Sequence, residues 1–279
     1  MSMVKVIFDS NEVEIVRMLG SGGFGAVYEA NYRNQKVAFK RLHTNTKNKK
    51  AAMQSFEAET SSEVLAFDHP NIIKTVAVSS ATSLEDEPCL IMEFISTRNL
   101  QHVLDDPDEI IDEQRRIEIA FEIVSALVYL HERQIAHLDL KPVNVLISQD
   151  NVCKLGDFGC CQFLEEKPNT PTRSYLTGTF AYRAPELLKG EKPSNKADMF
   201  SLSIVLWQLL TRDIPYKNLN HQVVIFRVVA CNLRPTIPSH IEVDNKYKEL
   251  MSNCWSGNLD ERPSSHEALQ TLKHWLRFA

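Results

Sequence analysis

The stretch HLDLKPVNVLI at 137–147 sets His137, Asp139, Lys141 and Asn144 at intervals of two, two and three among apolar neighbours. A carboxylate, an ammonium and an amide so spaced either decorate an ordinary turn leading into a strand or converge on one ligand. A second cluster, GSGGFG at 20–25, sets Gly20, Gly22 and Gly25 in a G-x-G-x-x-G pattern with Ser21, Gly23 and Phe24 between them. Missing side chains let backbone amides approach phosphate oxygens closely, although a hairpin turn without a ligand has the same composition. A dinucleotide-binding unit needs a helix after the glycines, whereas AVYEANY alternates like a returning strand. A Walker loop needs a Lys-Ser/Thr pair there, and none follows. What remains is a flap of two strands closing over a nucleotide.

These groups need a scaffold. The 279 residues, 43% hydrophobic and 24% charged, exceed one typical domain and suit two lobes with a buried core. A net charge of -5 gives no reason to expect affinity for nucleic acid or anionic lipid, and the short basic run around Lys47, Lys49 and Lys50 reads as a solvated loop. Six cysteines without a C-x-x-C pair read as reduced thiols and a cytoplasmic setting. No basic-then-apolar leader opens the chain, and no apolar run approaches the roughly 18 residues of a membrane span.

Periodicity divides the rest. From Glu12 to Leu42, strand-like runs broken by the glycines and by Arg33-Asn34 predict an antiparallel meander. A helix is predicted over about Lys50 to Phe67, then strands at IIKTVAV and CLIMEFI. Glu113 to Glu132 has helical spacing, with Asp112 placed to cap it. DMFSLSIVLWQLL is apolar nearly all round and reads as a buried helix. Ser264 with Glu267 is the capping-box signature of a last helix.

Set in order, VAFK with Lys40, HLDLKPVN with Asp139 and Asn144, GDFG with Asp157 and APE at 184–186 resemble the eukaryotic protein kinase family. The resemblance runs from the first strand to CWSGNLDERPS, with Trp255 and Arg262. It implies an α+β, two-lobed kinase domain spanning 1–279: an N-lobe sheet with one helix over 1–95 and a mainly helical C-lobe over 96–279. The cofactors implied are ATP and Mg²⁺. Phosphoryl transfer requires an in-line hydroxyl, neutralised phosphate charge and exclusion of water. Lys40 would then hold the α- and β-phosphates, oriented by a helix carboxylate: Glu59, with Glu63 as the alternative. Asn144 and Asp157 are the implied metal ligands, being hard oxygen donors. Asp139 would accept the substrate's proton and Lys141 would steady the γ-phosphate. Val27, Ala38 and Leu146 match the faces that sandwich adenine; Met92 precedes the hinge Glu93 to Ile95, whose backbone would bond the adenine edge. D-L-K-P-x-N implies the serine/threonine class, with Thr179 packing against the catalytic loop. Glu186 and Arg262 match a buried ion pair.

Departures from the family pattern concern regulation. Ser203 and Phe200 stand where D-x-W-S-x-G has glycine and tryptophan, and read as packing variants. Leu138 replaces the arginine that precedes the catalytic aspartate. A guanidinium there orders a phosphorylated loop; leucine offers none, so activity without phosphate on Thr170, Thr172, Ser174, Tyr175 or Thr177 is expected. Cys160 reads as a small buried residue. HLDLKP, DFGC and YRAPELLKGE are most similar to the Mos kinases. That likeness implies a monomeric cytoplasmic serine/threonine kinase of germ cells, whose protein substrate is a MAP kinase kinase during meiotic maturation. Another kinase of the MAP kinase pathway, or a kinase-fold scaffold without chemistry, is the alternative. The scaffold reading would normally come with loss of Lys40, Asp139, Asn144 or Asp157, and all four are present.

Overall fold

A computed structural model describes residues 7–164 and 180–278. They form two compact units: one comprises the described residues up to Thr97 together with Gly156–Cys160, the other Arg98–Leu155 and the described residues from Cys161 onward.

The first unit is built on a five-stranded antiparallel sheet: β1 (Val13–Ser21), β2 (Gly25–Tyr32), β3 (Gln35–Leu42), β4 (Thr75–Val78) and β5 (Cys89–Glu93), in the order β1-β2-β3-β5-β4. The meander closes as its composition predicts. Arg33 and Asn34 both adopt positive φ (49° and 61°), and Tyr32 pairs with Gln35, as in a two-residue hairpin turn whose twist matches the flanking strands. One face of the sheet buries Ala30, Val37, Phe39 and Ile91 with Phe8. Helix α1 (Lys49–Glu59) buries Ala52 and Phe56 against Leu42, Val78 and Leu90.

The helix expected over 50–67 is two helices. It ends at Glu59, and α2 (Ser62–Leu65) begins after a break. Hydroxyl groups cause the break: Thr60 Oγ1 donates to the Phe56 carbonyl at 2.8 Å, Ser61 Oγ to the Ala58 carbonyl at 3.0 Å, and Ser61 Oγ accepts from the Val64 N–H. Side-chain oxygens thus stand in for the next turn.

The second unit is mostly helical: α3 (Leu100–Asp105), α4 (Glu113–His131), α5 (Pro185–Leu188), α6 (Asn195–Thr211), α7 (His221–Ala230), α8 (Asn245–Cys254) and α9 (Ser265–Phe278). Two small ribbons accompany them, β6 (Ile135–Ala136) with β9 (Gln162–Phe163) and β7 (Val145–Ile147) with β8 (Cys153–Leu155). Helix α6 is buried from Ala197 to Leu210, as its uniform apolarity requires. Asp112 caps α4 by accepting from the Arg115 N–H at 2.8 Å. Ser264 and Glu267 form the reciprocal box before α9: Ser264 Oγ accepts from the Glu267 N–H, and Glu267 Oε2 from the Ser264 N–H. All six cysteines are free thiols. Among the described residues no helix is long and apolar enough to cross a membrane.

Candidate active site

In the first unit, β3 carries Lys40 in register with Val27 of β2 and Leu90 of β5. Its ammonium is paired with Glu59, the last residue of α1, and with Asp157 Oδ1 at 3.0 Å. The Lys40 partner is therefore Glu59; Glu63 lies on α2 and accepts from Ser62 Oγ. Burial opposes charge on Lys40, but the Asp157 and Glu59 carboxylates outweigh it and hold the ammonium above the usual lysine range. Burial pushes the Glu59 carboxyl up, to about 7, against the pull of Lys40 and with the Asp157 charge adding to the rise. Glu59 Oε2 is buried and unpaired.

Asp157 sits in the left-handed region at φ 61°, which turns the chain into the short 3-10 segment Phe158–Cys160. Phe158 packs edge-on to Phe67, with ring centroids 5.2 Å apart. Gly159 lies so close to α1 that a Cβ there would come within 2.1 Å of Ser55 Oγ and 3.1 Å of Glu59 Oε1. Glycine at 159 is what lets this segment and α1 approach, and the approach holds Asp157 and Glu59 on one ammonium.

In the glycine flap only one residue needs to be glycine for packing: a Cβ at Gly25 would sit 2.6 Å from the Arg41 carbonyl. At Gly20 and Gly23 a Cβ would meet nothing within 4 Å, so crowding by the protein does not demand glycine there. Close approach of a phosphate would. Phe24 O accepts from His43 N at 2.8 Å, and Ser21 Oγ lies 3.2 Å from His43 Nε2. Ala38 is opposite Met92, and Val27 is opposite Lys40, so these side chains share one face of the sheet. Glu93 and Ile95 are half-buried, and Glu93 Oε1 accepts from the Lys74 N–H at 2.9 Å.

The second unit assembles the other cluster. Asp139 Oδ2 accepts from Lys141 Nζ at 2.7 Å and from Asn144 Nδ2 at 3.0 Å; Asn144 Nδ2 also donates to the Asp139 carbonyl at 2.8 Å. The Asn144 nitrogen is thereby committed, and what this residue can present to a cation is a carbonyl oxygen. Leu146, on β7, is half-buried in this unit. Thr179 lies outside the described residues, as do Thr170, Thr172, Ser174, Tyr175 and Thr177.

Sequence reasoning missed the residue that fixes this loop. Asp198 of α6, fully buried, accepts from the backbone N–H of His137 and of Leu138, each at 2.8 Å, and lies 2.9 Å from His131 Nε2. His131 Nδ1 is 2.9 Å from Ser265 Oγ. Leu138, 7% exposed, is bent into positive φ (63°) at this point. The signal was available, because Asp198 is the aspartate of the D-x-W-S-x-G pattern whose other positions were read. Burial alone would raise the Asp198 carboxyl, but the His131 bond, the histidine charges and the Leu138 N–H hold it below the usual carboxylate range. A carboxyl lowered on folding adds stability above its unfolded value, near 3.8, and that stability is lost as pH falls through the lower folded value. Asp198→Asn is expected to be less stable than wild type at neutral pH and to lose less stability than wild type between about pH 5 and pH 3. Urea unfolding across that range checks it; equal acid slopes would remove Asp198 from the account.

Among the described residues no cluster of three or more His, Cys, Asp or Glu could cage a metal ion. Asp157 offers a carboxylate in the first unit and Asn144 an amide carbonyl in the second, and each is a donor type that suits a small hard cation. A protein kinase domain model matches residues 13–275. The chain belongs to the protein kinase family. Within that family it is similar to the serine/threonine-protein kinase mos of Patiria pectinifera, 43% identical over 94% of this chain and 75% of that protein. It also resembles the mos kinase of Xenopus laevis, at 37% over 95% and 76%, and the proto-oncogene mos kinase of Sus scrofa, at 38% over 95% and 81%. The kinase is a Mos-like serine/threonine kinase with the sheet and helices of the two-lobed kinase fold. As a kinase it binds ATP with a divalent metal and acts on a protein hydroxyl.

Proposed function

We propose that this kinase transfers the γ-phosphoryl group of Mg-ATP to serine or threonine of a MAP kinase kinase, as a cytoplasmic monomer acting in oocyte meiotic maturation. The carrying observation is that Lys40 is bracketed by Glu59 and Asp157 in one unit, while Asp139 is held by Lys141 and Asn144 in the other. Lys40, kept charged and oriented by Glu59, holds phosphate oxygens. Asp157 and Asn144 are the residues that would hold Mg²⁺, and the chemistry such an ion would supply is neutralisation of phosphate charge. Asp139 takes the hydrogen bond and then the proton of the attacking hydroxyl, and Lys141 steadies the γ-phosphate. Gly20 to Gly25 cover the phosphates, and Val27, Ala38, Met92 and Leu146 supply the apolar surfaces for adenine. The Mos likeness supports the substrate and setting. Radiolabelled phosphate transfer to an inactive MAP kinase kinase tests this reading, with Asp139→Asn as control. Equal incorporation by both proteins would refute it.

Leu138 supports a further regulatory reading. Its side chain is buried and its N–H is bound to Asp198, so position 138 presents no cation to a phosphate. Replacing Thr170, Thr172, Ser174 and Thr177 by alanine and Tyr175 by phenylalanine is expected to leave kcat within about twofold, a change worth less than 0.5 kcal/mol. Loss of activity with nucleotide affinity and fold intact would show that loop phosphorylation is required.

A further inference from the structure

Three charged residues outside this machinery share its face of the sheet. Arg17 is opposite Glu29, Glu29 opposite Ala38, and Ala38 opposite Met92. Directly opposed residues of antiparallel strands point the same way, as do residues two apart along a strand. Arg17, Glu29 and Lys36 therefore lie on the side that carries Val27, Ala38 and Lys40. The Glu29 side chain is only 8% exposed, and both its oxygens are engaged: Oε2 with Arg17 Nε at 2.9 Å and Nη2 at 2.8 Å, Oε1 with Lys36 Nζ at 2.6 Å. The Lys36 bond holds the Glu29 carboxyl below the usual range against the opposing effect of burial, and Arg17 adds to it.

A network that only pinned the edge strand β1 to its neighbour would need Arg17 and Glu29 alone. Lys36 does something more. Its ammonium lies 4.4 Å from the centroid of the Phe94 ring, within cation–π range. The β3–β5 pairing ends at Val37 opposite Glu93, so Phe94 is the first residue beyond the ladder. Past that point a side chain, Lys36, links β3 to the chain, and Glu29 fixes where Lys36 stands.

We infer that Glu29 and Lys36, braced by Arg17, position Phe94 and with it the backbone of Glu93 to Ile95, making them positioning residues for nucleotide affinity. This rests on the proposed reading that this backbone binds the adenine edge. A strap of this kind acts on binding of ground state and transition state alike, so KM moves and kcat does not.

The test compares Lys36→Met, Glu29→Gln, Lys36→Arg and Ala38→Phe with wild type, measuring KM for ATP, kcat, displacement of a fluorescent ADP analogue and the thermal midpoint. Lys36→Met and Glu29→Gln are expected to raise KM and the nucleotide dissociation constant about two- to fivefold with kcat within about twofold. Lys36→Arg, which keeps both the ion pair and the ring contact, is expected to restore wild-type values. Ala38→Phe is expected to abolish nucleotide binding. If it does while Lys36→Met shifts only the thermal midpoint, or lowers kcat at constant KM, the strap is overturned and the nucleotide face stands. If Ala38→Phe binds nucleotide normally, the reading of that face fails and the strap falls with it.

Discussion

Asp139→Asn is expected to lower kcat by about 10² to 10⁴, the range spanned by removal of a general base, while nucleotide affinity and thermal midpoint stay at wild-type values. The substitution keeps the shape of the side chain and replaces one oxygen by a nitrogen that cannot accept a proton. The surroundings make the comparison clean. Lys141 and Asn144 both donate to Asp139 Oδ2, and the asparagine can keep its remaining oxygen on that side. The loop itself is held from elsewhere, through Asp198 and the N–H groups of His137 and Leu138. What changes is the proton acceptor and, with it, the charge paired with Lys141, while the loop keeps its anchors. Single-turnover phosphate transfer separates the chemical step from product release; a variant retaining more than about a tenth of the wild-type rate would take proton transfer away from Asp139.

How legible all this was depends on the range of the interaction. Local chemistry read well: the Arg33-Asn34 turn, the Asp112 cap, the Ser264-Glu267 box and the buried α6 each depend on a few consecutive residues or on one periodicity. The break after Glu59 did not read, because Thr60 and Ser61 interrupt the helix with their own oxygens while leaving the apolar spacing undisturbed. The place of Gly156–Cys160 in the first unit is non-local altogether, since the contact of Lys40 with Asp157 joins residues 117 apart. Family resemblance assigns both residues to one nucleotide, as phosphate and metal ligands, but does not pair them with each other. Asp198 shows the opposite failure: a charged residue in an apolar helix was visible, and its partners, two backbone N–H groups some 60 residues away, were not. Glu29 was hidden for another reason. Charged residues on strands usually face solvent, and only the register puts Arg17 and Lys36 on either side of one buried carboxylate.

The fold, rather than the chemistry, is most vulnerable at one buried ion pair. Arg262 and Glu186 form a two-bond pair at 2.7 and 2.9 Å, with side chains 0% and 3% exposed. The guanidinium also donates to the carbonyls of Ser256 and Lys196 and lies over the Phe200 ring. Both Glu186 oxygens accept from this one guanidinium. Arg262→Met leaves the Glu186 carboxylate buried without its cation, which costs about 3 to 5 kcal/mol, a fall in thermal midpoint of roughly 5 to 9 °C for a chain of this size. Because the loss comes from an uncompensated charge and not from the absent attraction, removing the second charge should recover part of it. Glu186→Leu with Arg262→Met is therefore expected to be more stable than Arg262→Met alone, with the two substitutions strongly non-additive. Calorimetry on the three variants decides the matter: additive effects, or a loss below about 1 kcal/mol in Arg262→Met, would mean that water or a neighbouring group reaches Glu186 and that this pair is not what holds 186 to 262.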